Sequence, residues 1–190
     1  MAENLNVGTR INVSTNQTNN GTIEKYCYNN DEANCTIYGG LYLWNELMNY
    51  TTSSNSNPSV RRGIYPTGWH VPSDAEFCQM ETYLDATVNC GNTGLLSTDA
   101  GGKMKETGTG HWSAPNLGAT NSSGFTALPG GLNYSGGPFS ALANGGYFWS
   151  ATESSSPHAW WHSLWYNNAQ INRSSNADKI DGASGRCCQD

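Results

Sequence analysis

No stretch of this sequence approaches the ~18 consecutive apolar residues that a membrane-crossing helix requires, which excludes a helical transmembrane protein. Charge is also scarce. Asp, Glu, Lys and Arg make up 13% of the 190 residues, about half the usual share. The 9 Lys and Arg are scattered and the net charge is −6, so no basic stripe exists to neutralise phosphates. Nucleic acid is therefore not an expected partner, nor is an anionic membrane surface, and nothing points to direct membrane insertion. No CxxC occurs, which speaks against a zinc knuckle or a thioredoxin motif, and no GxSxG elbow marks a serine hydrolase. The opening residues, MAENLNVG, have neither the basic nor the apolar segment of a signal peptide, so export would need a signal upstream. Hydrophobic residues reach only 36%. That shortage would suggest disorder, but disorder also wants high net charge and few aromatics.

Aromatics are abundant, with 7 Trp, 10 Tyr and 4 Phe, and the chain is expected to fold around them. Its polarity is uncharged: 23 Asn, 20 Ser and 17 Thr accompany 22 Gly. These residues favour turns and caps over helix interiors, which excludes a long-helix protein or coiled coil. The length suits one domain spanning 1–190. Six cysteines allow 15 pairings, but local spacing favours Cys27–Cys35 and Cys78–Cys90. Adjacent Cys187 and Cys188 cannot easily share a partner, so one of them is expected to stay a thiol or to bridge to another chain. The competing reading is a set of buried thiols in a reducing compartment.

Leu41, Trp44, Leu47 and Met48 recur at helical spacing, predicting a helix over 39–50. Ser73 with Glu76 three residues on is a capping box that opens a second helix over 73–85, burying Phe77, Met80, Tyr83 and Leu84. Short strands are expected near MAENL, TRINV and GTIEKYCY, then at 124–131, 147–152 and 163–173, with a tight turn at Tyr166–Ala169. Helices segregated from strands indicate an α+β class, with two helices, short antiparallel strands and long loops.

WHVPSDAEF (69–77), GGKMKE (101–106), HWSAPNLGATNSSGFTALPGG (111–131), YFWSATES (147–154) and CYNNDEANCTIYGGLYLWNE (27–46) stand in a characteristic order. Together with the terminal GRCCQD they resemble the Fibrobacter succinogenes major paralogous (FISUMP) domain. The resemblance implies a C-type lectin-like fold, in the branch shared with formylglycine-generating enzymes. It also implies an extracellular or cell-surface location and a kinship with the variable proteins of diversity-generating retroelements. Tyr65 stands where members usually carry a cysteine, the expected mate of Cys187.

His70 and His111 lie in these motifs and read as structural histidines. His158 and His162 are four apart. On a strand they share a face about 13 Å apart, too far to hold one metal, and no metal or other cofactor is expected. Redox chemistry at Cys187 and Cys188 would need thiolate activation, for which only Arg186 is at hand. Ala114-Pro115-Asn116 and Trp44-Asn45-Glu46 are poor matches to the triplets of a calcium-dependent lectin. What remains is binding by rigid aromatics among Gly, Ser and Asn, the composition of a paratope. The expected ligand surface is the C-terminal third: Asn133, Tyr134, Phe139, Asn144, Tyr147, His158, Trp161, His162, Trp165 and Asn172. Trp149 and Trp160 are expected in the core and Trp161 and Trp165 outside it. The leading function is a non-enzymatic domain binding a protein or glycan ligand at the cell surface, diversified in one version by a retroelement. A structural surface module and a cysteine-dependent oxidase are the alternatives.

Overall fold

The computed structural model describes residues 3–190 and is an α+β structure. Its centre is a six-stranded sheet in the order β3-β11-β8-β9-β10-β5. The three long strands are consecutive: β8 (Gly145–Glu153), β9 (His158–Trp165) and β10 (Ile171–Asp178). Around them pair the short β3 (Leu41–Tyr42), β5 (Gly94–Leu96) and β11 (Ala183–Ser184). All of these pairings are antiparallel except β11 with β8. Three ribbons complete the strands: β1 (Thr9–Arg10) with β2 (Glu24–Lys25), β4 (Trp69–His70) with β12 (Cys188–Gln189), and β6 (Leu132–Asn133) with β7 (Phe139–Ser140). The strand expected at MAENL begins outside the described residues. Its Leu5 makes backbone bonds to Gly40 and Gly185 without forming a named strand.

Four α-helices stand among the described residues, not two: α1 (Glu32–Tyr38), α2 (Trp44–Leu47), α3 (Asp74–Leu84) and α4 (Ala100–Met104). α3 begins at Ser73 with both arms of its capping box formed, as expected. The helix expected over 39–50 shrinks to α2, because Leu41 and Tyr42 are drawn into the sheet by β11. The stretch at 124–131 contributes only isolated bridges, at Ala127 and Gly131. No helix of the described residues is long and apolar enough to cross a membrane.

Alternation along β8 and β9 sorts the core into two faces. Phe148 and Leu164 point to one, joining Phe77, Met104, Trp112 and Ile171. Tyr147 and Trp149 point to the other, joining Tyr42, Trp44, Leu47 and Tyr65. Both expected disulfides are formed, Cys27–Cys35 and Cys78–Cys90. Tyr65 and Cys187 are buried in the same cluster, so the two positions that the resemblance pairs do lie in one region.

Candidate ligand-binding face

The long meander aligns side chains in rows across the sheet. Tyr147 lies opposite Ser163, which lies opposite Asn172. Trp149 lies opposite Trp161, which lies opposite Ser174, and Trp165 lies opposite Gly145. Residues in register share a face, so Trp161, Trp165, Asn172 and Ser174 stand together. All four are half-buried. Trp161 packs on Tyr147 and Trp149 at ring separations of 5.1 and 5.3 Å, and Trp165 meets Tyr147 edge-on at 5.6 Å. Burial first, then the neighbouring Tyr134 phenol, pushes the Tyr147 hydroxyl above its ordinary value. Tyr134 itself is exposed.

Beyond Asn172 and Ser174 the sheet borders a groove of about 390 Å³ whose wall also includes Thr93, Ser175 and Asn176. Its only charged lining residue is Arg173, whose guanidinium turns to Asp74 with bonds of 2.8 and 2.6 Å and stacks 3.7 Å over the Trp160 ring. The groove therefore offers amides and hydroxyls beside two indoles, with little net charge.

Several expected site residues lie elsewhere. Asn133 is fully buried, Tyr147 is core and His162 is buried, so a ligand cannot reach them. Asn133 is held by its backbone pairing with Gly182, and its side chain donates to the Gly137 carbonyl. Phe139 packs on Tyr28 at a tilt in a separate cluster. Asn144 is half-buried at the turn before β8. His158 pairs with Asp178 at 3.0 Å near the β8–β9 turn. Trp160, expected in the core, is half-buried under Arg173, and the neighbouring Trp161 faces the opposite side as strand alternation requires. Trp161 is less exposed than expected, because its ring completes the Trp149–Tyr147 stack.

His162 is the centre of a buried ionic cluster. Its Nδ1 lies 2.5 Å from Glu81 and its Nε2 3.2 Å from Asp74, both carboxylates projecting from α3. Burial alone would lower the imidazole's pKa. The Glu81 charge and the hydrogen bonds to both carboxylates outweigh it and raise the value to about 9. Burial would likewise raise Asp74, but the bonds from His162 and Arg173 hold it below its ordinary value. The cluster fastens α3 to β9 and β10 beneath the candidate face.

A second support is not visible in the sequence. Lys105 is fully buried, and its Nζ donates to the carbonyls of Leu117, Trp165 and Asn168 at 2.8–2.9 Å. Burial lowers its pKa to about 8. Just before it, a Cβ on Gly102 would sit 2.2 Å from the Gly118 carbonyl oxygen, and one on Gly101 2.3 Å from that of Gln170. The glycines of GGKMKE let α4 lie directly on the β9–β10 turn, and the lysine then binds the turn's carbonyls. Ser174 is a further member of the face that composition does not single out, although strand alternation from Asn172 leads to it.

The sequence matches the family described as Fibrobacter succinogenes major domain (Fib_succ_major) over residues 1–189. The chain belongs to this family. No curated protein and no solved structure matches it. Within this Fib_succ_major chain the family-like segments have distinct tasks. GGKMKE seats the β9–β10 turn, WHVPSDAEF caps α3, and YFWSATES forms the middle of the sheet.

Proposed function

We propose that this chain is a non-enzymatic ligand-binding domain of an exported or surface protein, with a C-type lectin-like fold, and that it binds through the Trp161–Trp165–Asn172–Ser174 face. The observation that carries the reading is the register that sets two half-buried indoles beside a groove of amides and hydroxyls. Flat aromatic faces bury much area with little loss of freedom, and neutral polar groups orient what lies on them. This chemistry favours a neutral, hydroxyl-rich ligand such as a glycan over a charged one. Two disulfides are compatible with an oxidising location. The terminal thiols offer no support for an oxidase. Burial pushes Cys187 up, and burial together with the Glu76 charge pushes Cys188 to about 11, the reverse of activation.

The test is a glycan array followed by calorimetry on the best ligand. Binding is expected to change little between low and high salt, because the face carries little net charge. Trp165→Ala and Asn172→Ala are each expected to weaken binding by tenfold or more. An array with no retained glycan would sink the glycan reading, and a screen against proteins would then decide between a protein ligand and a structural module. Retroelement diversification predicts a near-identical template repeat beside a reverse-transcriptase gene, differing from the coding sequence at adenines. A genomic neighbourhood without one removes that version.

A further inference from the structure

The ribbon of β4 and β12 sets His70 directly across from Cys188. Directly paired residues project to the same side of a ribbon. Glu76, in the first turn of α3, faces them, and one ligand atom of each residue lies within 4.8 Å of the others. The donors thus come from three separate segments, and nothing in the binding reading uses them. We propose that His70, Glu76 and Cys188 form a zinc site that fastens the β4–β12 ribbon to the start of α3.

Imidazole nitrogen, carboxylate oxygen and thiolate sulfur are a zinc-class donor set. Magnesium and calcium prefer oxygen alone. Two of the three donors are held in place before any metal arrives. His70 is buried, and its Nδ1 lies 2.7 Å from Asp190 Oδ1, which leaves Nε2 aimed at Glu76 Oε1, 2.8 Å away. A carboxylate behind a histidine ligand is the arrangement that fixes ring orientation in zinc proteins. Glu76 Oε2 accepts the backbone N–H groups of Ser73 at 2.8 Å and Ser59 at 3.1 Å, so its other oxygen is left for the site. Zinc would replace the proton shared by Nε2 and Oε1. Bond lengths of ~2.0–2.3 Å set a tetrahedral edge of roughly 3.3 Å, so that contact must open by about half an ångström. Glu76 and Cys188 also border a cleft of about 170 Å³, which leaves room for water as a fourth ligand.

The experiment titrates the chelator-treated chain with cobalt(II), then with zinc by calorimetry. One metal per chain is expected, with the near-ultraviolet sulfur-to-cobalt charge-transfer band. C188S should abolish that band and weaken zinc binding, and H70Q should weaken binding as well. D190N should keep the band while losing about 10–100-fold in affinity. H158Q, whose imidazole pairs with Asp178 and is no part of this donor set, should bind as the parent does. No thiolate band in the parent chain, or a band that survives C188S, would overturn the site. If C188S fails to fold, alkylation of the parent chain decides the same question. Zinc should shield Cys188 from modification as read by peptide mass mapping, and an unchanged rate would count against the proposal.

Discussion

The charge of His162 depends on the fold. In the unfolded chain it titrates near ~6.5, and in the folded chain near 9, held up by Glu81 and Asp74. A group raised in this way contributes stability that is fully present below the unfolded value and is lost as pH rises through the folded one. Asp74 has the opposite sign, since its stabilisation is present above the ordinary carboxylate range and fades in acid. His162→Gln should therefore melt well below the parent at pH 6, with the gap narrowing steadily toward pH 9 and beyond. Lys105 titrates in the same interval, but both proteins contain it, so the difference in melting temperature isolates the histidine. A gap independent of pH would mean that folding does not shift the imidazole's pKa.

At the scale of elements, α3 shows what local sequence can and cannot say. Its start is legible because a capping box is a local device: the Ser73 hydroxyl accepts the Glu76 N–H at 3.1 Å, and the Glu76 carboxylate accepts the Ser73 N–H at 2.8 Å. Ser73→Ala should cost about 1 kcal/mol, measured by chemical denaturation, and no measurable loss would deny the cap its role. The inward face of the same helix is not legible. Tyr83, expected in the core, is 89% exposed, while Asp74 and Glu81 are buried. A carboxylate can take a core position only where a counter-charge meets it, and here His162 and Arg173 arrive from strands some 80 to 100 residues away. The hairpin about the Asn-rich turn is readable from the sequence, but its strands are longer than expected: β9 begins at His158 rather than near 163, and β10 runs to Asp178 rather than ending near 173. α1 is not, because a seven-residue helix that starts inside the short Cys27–Cys35 loop has no room for a periodic pattern. α4 is hidden by its glycines, which weaken helix propensity but allow the close approach to Gly118 and Gln170. Of the residues proposed from composition, Trp161, Trp165 and Asn172 fall on one face of the sheet, whereas Asn133, Tyr147 and His162 are buried, since composition does not say which way each side chain points.

For the molecule as a whole, few charged residues and many turns leave cross-links an unusual share of the stability. The Cys78–Cys90 bond joins the body of α3 to the loop before β5 across a separation of 12 residues. Closing a loop of that size removes about 3 kcal/mol of chain entropy from the unfolded ensemble. Replacing both cysteines by serine should lower the unfolding free energy by that order, and a loss below about 0.5 kcal/mol would show that the bond is incidental. The two extremities of the fold are also tied to each other. Leu5 N–H donates to the Gly185 carbonyl at 2.9 Å, Arg186 Nε donates to Asn4 Oδ1 at 2.7 Å, and Asn4 donates onward to the Tyr38 carbonyl at 2.7 Å. Seen under tension, this junction is a clamp. A pull applied at residues 4 and 186 in opposite directions loads these few bonds first, and the sheet between them bears no force until they part. The aromatic face, carried on β9 and β10 inside the clamped span, would keep its shape under such a load.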